Sequence, residues 1–205
     1  MMRLVLGALT VVGLVACGGE SEPAKKAPPA AAGAPAPAPS VPPEAVLGAA
    51  SKAFADARAA GDAPKLLEMT KAMLPTSEDL RKILRGGPET DAFLEQYKAE
   101  RIRGDANEAA REILKPGEAS QIAVKIYSAT TEEIAAYAEG GVAHTKFPGG
   151  MQVFAQTVAA PGRVWHTIEY LEPGQDTGMK FTPFTVVDGR VFFVHKPWKA
   201  LPSPK

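Results

Sequence analysis

The sequence predicts an α+β fold, N-terminal helices followed by a curved antiparallel sheet of about five strands, with the change of texture falling near residue 117. Three observations predict it. Apolar residues recur at helical spacing, between helix caps, from 44 to 115. From 118 to 196 the pattern is mainly that of strands, short runs rich in valine, isoleucine and aromatics. Within that second part, Asp188 and Gly189 stand between "FTVV" and "RVFFVH", the strongest hairpin signal in the chain, because both turn positions need positive φ.

Taken in order, "EAVLGAASKAFADARAAGD" puts Val46, Ala50, Ala53, Phe54 and Ala57 on one helical face and Lys52, Asp56 and Arg58 opposite, with Gly61 as the stop. Asp62 is placed to cap the next helix, which carries Leu66, Met69 and Met73 on one side and ends before Pro75. In "TSEDLRKILRGGP", Thr76 and Asp79 form a capping-box pattern ahead of a third short helix that closes at Gly86 and Gly87. The longest periodic stretch, 89–115, has Leu94, Tyr97, Ile102, Ala106, Ala109 and Ile113 as an approximate stripe, with Gly104 as a point of kinking and Lys115-Pro116-Gly117 as its end. Its many charges read as a solvated helix face.

The second part begins with "QIAVKIYSA", where Ile122, Val124 and Ile126 alternate with Gln121, Ala123 and Lys125. "TTEEIAAYAEGG" is a short helix boxed by Thr130 and Glu133 and stopped at Gly140 and Gly141. His144 follows in a glycine-flanked connection. "MQVFAQTVA", "RVWHTIEYLE", "MKFTPFTVV" and "RVFFVH" supply the remaining strands. In the second of these, apolar and polar residues are mixed on both faces, which a sheet with one wet face would not show. Trp198 is expected to pack back on the domain, and the last five residues to fray.

At 205 residues, with 45% apolar and 22% charged residues, the chain suits one folded domain, placed at 44–199 with a tail at 200–205. Lys plus Arg and Asp plus Glu number 23 each, so no net field favours nucleic acid as a partner. A lone cysteine excludes an intramolecular disulfide and a multi-thiolate metal site.

That cysteine has another use. Residues 1–16 begin Met-Met-Arg and continue as "LVLGALTVVGLV", the anatomy of a signal peptide, too short an apolar run to span a bilayer unaided. The run ends in Leu14-Val15-Ala16-Cys17, which resembles the lipobox of bacterial lipoproteins. The resemblance implies cleavage between Ala16 and Cys17, a diacylglycerol on the Cys17 sulfur and an acylated amino group. Two or three acyl chains hold a protein stably to a bilayer where one does so marginally. The implied location is the cell envelope, anchored in the membrane by lipid, and Gly18, where an Asp would retain an enteric lipoprotein in the inner membrane, points to the outer membrane of a diderm cell. Through Pro43 the chain is mostly alanine, proline and glycine without hydrophobic periodicity, so residues 17–43 read as a lipidated cysteine and a disordered tether. Its reach is roughly 30 Å as coil and 80 Å fully extended.

Searches for chemistry are negative: no HExxH, paired CxxC, GxSxG, Walker-type loop or GxGxxG after a strand occurs, so no metal and no cofactor are expected. Three histidines remain, His144, His166 and His195. The last two fall on predicted strands, with Glu169 and Tyr170 close to His166 in sequence. The simplest reading of each is a hydrogen-bonded histidine at a sheet rim.

Helices first, antiparallel sheet last, with a closing "VVDGRVFFVHKPW" hairpin, is an order similar to the nuclear-transport-factor-2-like cone fold, which includes SnoaL-like enzymes and many exported binding domains. The resemblance implies a pocket on the concave face of the sheet, for which His166, His195, Glu169 and Tyr170 are the candidates. The expected function is therefore non-catalytic binding of a small-molecule ligand or an envelope protein by a lipid-anchored domain. The alternative is a small acid-base enzyme of the SnoaL-like kind, using a pocket histidine.

Overall fold

The strand Val164–Leu171 organises the domain, because all of it but the first residue is buried. A strand reaches that state only when both faces of its sheet are covered. The computed structural model describes residues 41–101, 110 and 119–201, all within the unit Pro39–Lys205. The expectations for residues 1–40, for Ile102, Gly104, Ala106, Ala109, Ile113 and the stop at 115–117, and for the tail beyond 201 lie outside the described residues.

Among the described residues, the leading helices are α1 (Pro43–Ala59), α2 (Ala63–Met73), α3 (Ser77–Ile83) and α4 (Pro88–Arg101). Then come β1 (Ala123–Thr130), three short helices α5 (Thr131–Ala136), α6 (Val142–Lys146) and α7 (Gly150–Thr157), and the strands β2 (Val164–Leu171), β3 (Met179–Val187) and β4 (Arg190–Phe193). A 3-10 turn, Pro197–Ala200, follows. The sheet is antiparallel and open, in the order β1-β2-β3-β4. The α+β class and the helices-then-sheet order are those the sequence predicts, with four strands among the described residues where about five were expected.

The missing strand is the "MQVFAQTVA" segment, which is the helix α7. Its residues Met151, Phe154, Ala155 and Val158 are buried at helical spacing, while Val153, which a strand reading places beside Met151 and Ala155, is 51% exposed. A run this short satisfies both periods, and packing selects the helical one. His144 likewise belongs to a short helix, α6, rather than to a loop, and sits edge-on to Tyr137 at 5.2 Å between ring centroids.

Local signals produce the element ends. Asp62 accepts the Lys65 N–H at 3.0 Å. The boxes at Thr76/Asp79 and Thr130/Glu133 are both closed, the hydroxyl accepting from the third residue and the carboxylate from the cap's N–H. Asp188 (φ 51°) and Gly189 (φ 72°) both occupy the left-handed region that the hairpin turn requires. At the end of α7, Arg85 donates to the carbonyls of Ala155 (2.8 Å) and Ala159 (3.0 Å), satisfying acceptors that the helix cannot pair itself.

Two cores lie on opposite faces of the sheet. On one face α1 and α2 bury Leu47, Phe54 and Met73 against Ile168, Tyr170, Phe184 and Phe193. On the other, α3, α4, α5, α6 and α7 close over Trp165, with Leu80, Phe93, Ile134 and Phe154 among its neighbours. Each fully buried large side chain contributes about 1.5 to 3 kcal/mol. The helices therefore cover both sides of the sheet, rather than one concave side.

The buried face of α1 is also rotated from the one read from the sequence. Leu47, Ser51, Phe54, Ala55, Ala57 and Arg58 are buried, so Phe54 and Ala57 are common to both readings, and the Arg58 guanidinium lies 4.3 Å above the centre of the Tyr170 ring. An aromatic face is a favourable seat for a cation that finds no carboxylate, which is how a charged residue comes to lie on the inner side. No helix among the described residues is long and apolar enough to cross a membrane.

Candidate functional site

The site follows from a mismatch of strand lengths. β3 pairs with β2 from Met179 to Phe184, but with β4 only from Phe184 to Val187. The last contact on that side is the Val194 N–H to the Pro183 carbonyl, 3.1 Å. The chain then turns at Lys196 (φ 46°) into the 3-10 helix. Met179, Lys180 and Phe181 are thus paired with β2 on one edge, Thr182 falls at the register shift before Phe184, and among the described residues no backbone bond closes the other edge of Met179–Thr182.

Along that edge runs an open groove of about 730 Å³. Phe181, Phe193 and Trp198 form its apolar walls. Lys146, Lys180, Lys196 and His195 bring basic groups to it, and among the described residues no Asp or Glu lines it. Each wall is held from behind. Phe181 meets Tyr170 at 5.8 Å and Phe193 at 6.5 Å between centroids, and Phe193 meets His195 at 5.8 Å. The Trp198 indole lies so close to the start of α7 that a Cβ on residue 150 would overlap its ring, and Gly150 permits the approach. Trp198 packs against the larger core, as the sequence leads one to expect.

Beside the groove, a polar network ties β1, β2 and β3 together. Glu169, 1% exposed, accepts from the Tyr127 hydroxyl (3.0 Å) and the Gly178 N–H (2.9 Å). Lys180 Nζ stands 3.8 Å from the same carboxylate, and Lys146 Nζ lies 4.3 Å above the Tyr127 ring. Burial, and then the bond to Glu169, push the Tyr127 hydroxyl above its ordinary pKa. Next to it, the Thr167 hydroxyl is within 2.7 Å of the Thr182 hydroxyl and donates to the Lys146 carbonyl at 3.2 Å.

Of the four residues that the sequence offers for a pocket, His195 lines the groove; His166, Glu169 and Tyr170 do not. His166 and Tyr170 face α1, whereas Glu169 is an odd number of residues from each and faces the other way. A histidine-carboxylate pair is therefore not assembled by β2. His166 is buried, its Nδ1 bonded to the Ser128 hydroxyl at 2.9 Å, while among the described residues Nε2 has no hydrogen-bond partner. Burial lowers its pKa, and the charge of Glu44 opposes that shift. Tyr170 is pushed up to about 12 by burial, against the opposing charge of Arg58. Ala16 and Cys17 lie outside the described residues.

No family model matches the chain, and neither does any curated protein or solved structure. What the domain can do is accordingly argued from the groove. Among the described residues no three His, Cys, Asp or Glu side chains gather as metal ligands. The residues that sequence reasoning missed are Lys146, Lys180, Lys196, Phe181 and Phe193. Their one sequence-level signal is a concentration of lysines next to aromatics, in "TKFP", "MKF" and "HKPWK".

Proposed function

We propose that this chain is a lipid-anchored extracytoplasmic protein of the cell envelope, whose α+β domain is a non-catalytic binding module that takes a small ligand or an envelope partner in the groove beside β3. The groove carries the reading: a concave, aromatic-walled site with a few convergent polar groups is the usual form of a binding site. The anchor rests on Leu14-Val15-Ala16-Cys17 and on the alanine- and proline-rich segment that follows, a composition suited to hold a domain away from a membrane.

The acid-base alternative draws on His195, which reaches the groove. Among the described residues no carboxylate lines the groove, and His166 and Glu169 are on opposite faces, so binding is the reading we adopt.

Two experiments test it. Intact mass and membrane fractionation of the natively expressed protein beside Cys17→Ser are expected to find the wild type in the membrane with acyl chains on residue 17, and the variant in neither state. A soluble wild type that keeps residues 1–16 refutes the anchor. For the groove, Trp198 is the reporter: a ligand that enters it changes the indole emission of wild type but not of Trp198→Phe, since the other tryptophan, Trp165, is fully buried in the larger core.

A further inference from the structure

The open edge of β3 and the charge of the groove together say what kind of occupant fits. An edge strand exposes unpaired N–H and C=O groups at alternate residues, a template for one more strand. Proteins ordinarily protect such edges by covering them or by placing a lysine there, which repels a neighbour that carries charge of the same sign. Here the edge Met179–Thr182 lines the groove together with Phe193, Trp198 and the segment Thr145–Pro148. Three lysines and a histidine from three separate segments surround it: Lys146 at the end of α6, Lys180 on β3, and His195 with Lys196 after β4. Such a field disfavours a basic strand and attracts an acidic one. Lys180 is half spent on Glu169 at 3.8 Å, whereas Lys196 is exposed at the rim.

We propose that the groove receives an extended acidic peptide segment as an additional strand, antiparallel or parallel to Met179–Thr182 of β3. Alternate side chains of that segment meet Phe181, Phe193 and Trp198, and its carboxylates meet Lys146, Lys180 and Lys196. This deepens the binding-module reading and rests on it: the envelope partner is a protein with an unstructured acidic stretch. Backbone pairing supplies affinity that is tolerant of sequence, while the lysines select the charge. The open edge is about 13 Å long, at roughly 3.3 Å per residue, so four peptide residues pair and the flanking ones reach the lysines.

The test uses the full chain and four probes: a labelled (Glu-Val)4 peptide, the same peptide N-methylated on alternate backbone nitrogens, (Lys-Val)4, and inorganic phosphate. Fluorescence anisotropy gives affinity, and amide hydrogen exchange locates the contact. The expected result is saturable binding of (Glu-Val)4 with slowed exchange within 179–182, no binding of (Lys-Val)4, and loss of binding on N-methylation. The double variant Lys180→Gln, Lys196→Asn, which changes only exposed side chains, is expected to weaken (Glu-Val)4 about tenfold at low salt while keeping the circular dichroism of wild type. Equal binding of the N-methylated peptide overturns the strand geometry, and equal binding of (Lys-Val)4 overturns the charge selection. Phosphate that perturbs Trp198 while (Glu-Val)4 protects no amide overturns the strand proposal yet leaves a binding groove. If neither probe perturbs Trp198, the strand proposal is overturned, and the anchoring half of the functional reading is decided separately by the Cys17 experiment.

Discussion

The two ends of β3 show how one strand can serve stability and recognition at once. At its far end, Phe184 is paired by both β2 and β4 and Thr185 by β4, and both are at most 2% exposed. At its near end, Met179, Phe181 and Thr182 are only half-buried, and Lys180 is exposed. The two ends have similar residues, each with phenylalanine and threonine, so composition does not distinguish them. The neighbour does: β4 is four residues long and β3 nine, and where β4 stops, backbone groups and aromatic rings that would have been core become the floor of a groove.

The largest expected effect sharpens that contrast directly. Phe184→Ala removes a ring stacked on Phe193 at 4.7 Å within a closed core and should cost about 3 to 5 kcal/mol in urea unfolding. Phe181→Ala, at the open end, should cost about 1 kcal/mol, since half its surface transfer is already absent in the folded state, and should chiefly reduce ligand binding. Equal losses at the two positions would mean that the near end is core after all.

Glu169→Ala comes next. It orphans the Tyr127 hydroxyl and the Gly178 N–H, and about 2 to 3 kcal/mol of stability should go with them. The Tyr127 hydroxyl should then titrate at lower pH, because the bond and the charge that raise its pKa are gone, although burial, the larger cause, remains. Ultraviolet titration of wild type and variant measures the difference.

Gly150→Ala is expected to cost about 1 to 3 kcal/mol by forcing the Trp198 indole from its seat. It should shift Trp198 emission to the red and weaken groove binding while leaving the core around Phe184 intact. Unchanged emission would show that Trp198 is not held where Gly150 meets it.

The smallest effect is one of pH. The folded-state pKa of His166 lies below the ordinary 6.5, first through burial and against the attraction of Glu44. Below about pH 6.5 the unfolded chain therefore holds more protons than the folded one, so stability present above that pH falls as the solution is acidified and levels off once the folded-state pKa is passed. His166→Gln should flatten that part of the stability profile; an unchanged slope assigns it to another group.

Much of the architecture was legible in the sequence, and for a common reason. Both capping boxes, the Asp62 cap, the hairpin at Asp188 and Gly189 and the span of β3 depend on residues no more than a few positions apart, so the chain carries their signals locally. Where a local pattern admitted two periods, as at 150–157, it misled. The site was less legible still: of its residues only His195, by its chemistry, and Trp198, by its bulk, were singled out.

What the sequence determined by itself was the α+β class, the helices-then-sheet order, the caps and the hairpin turn, and the resemblance at Cys17, because each is written in neighbouring residues. Only the tertiary structure decided that helices cover both faces of the sheet, that His166 and Glu169 part to opposite sides of β2, and that β4 ends early enough to leave Met179–Thr182 open. Those outcomes depend on contacts between distant parts of the chain, such as Lys146 with Tyr127 and Thr167 or Trp198 with Gly150, where burial and close packing choose among arrangements that the local sequence allows equally.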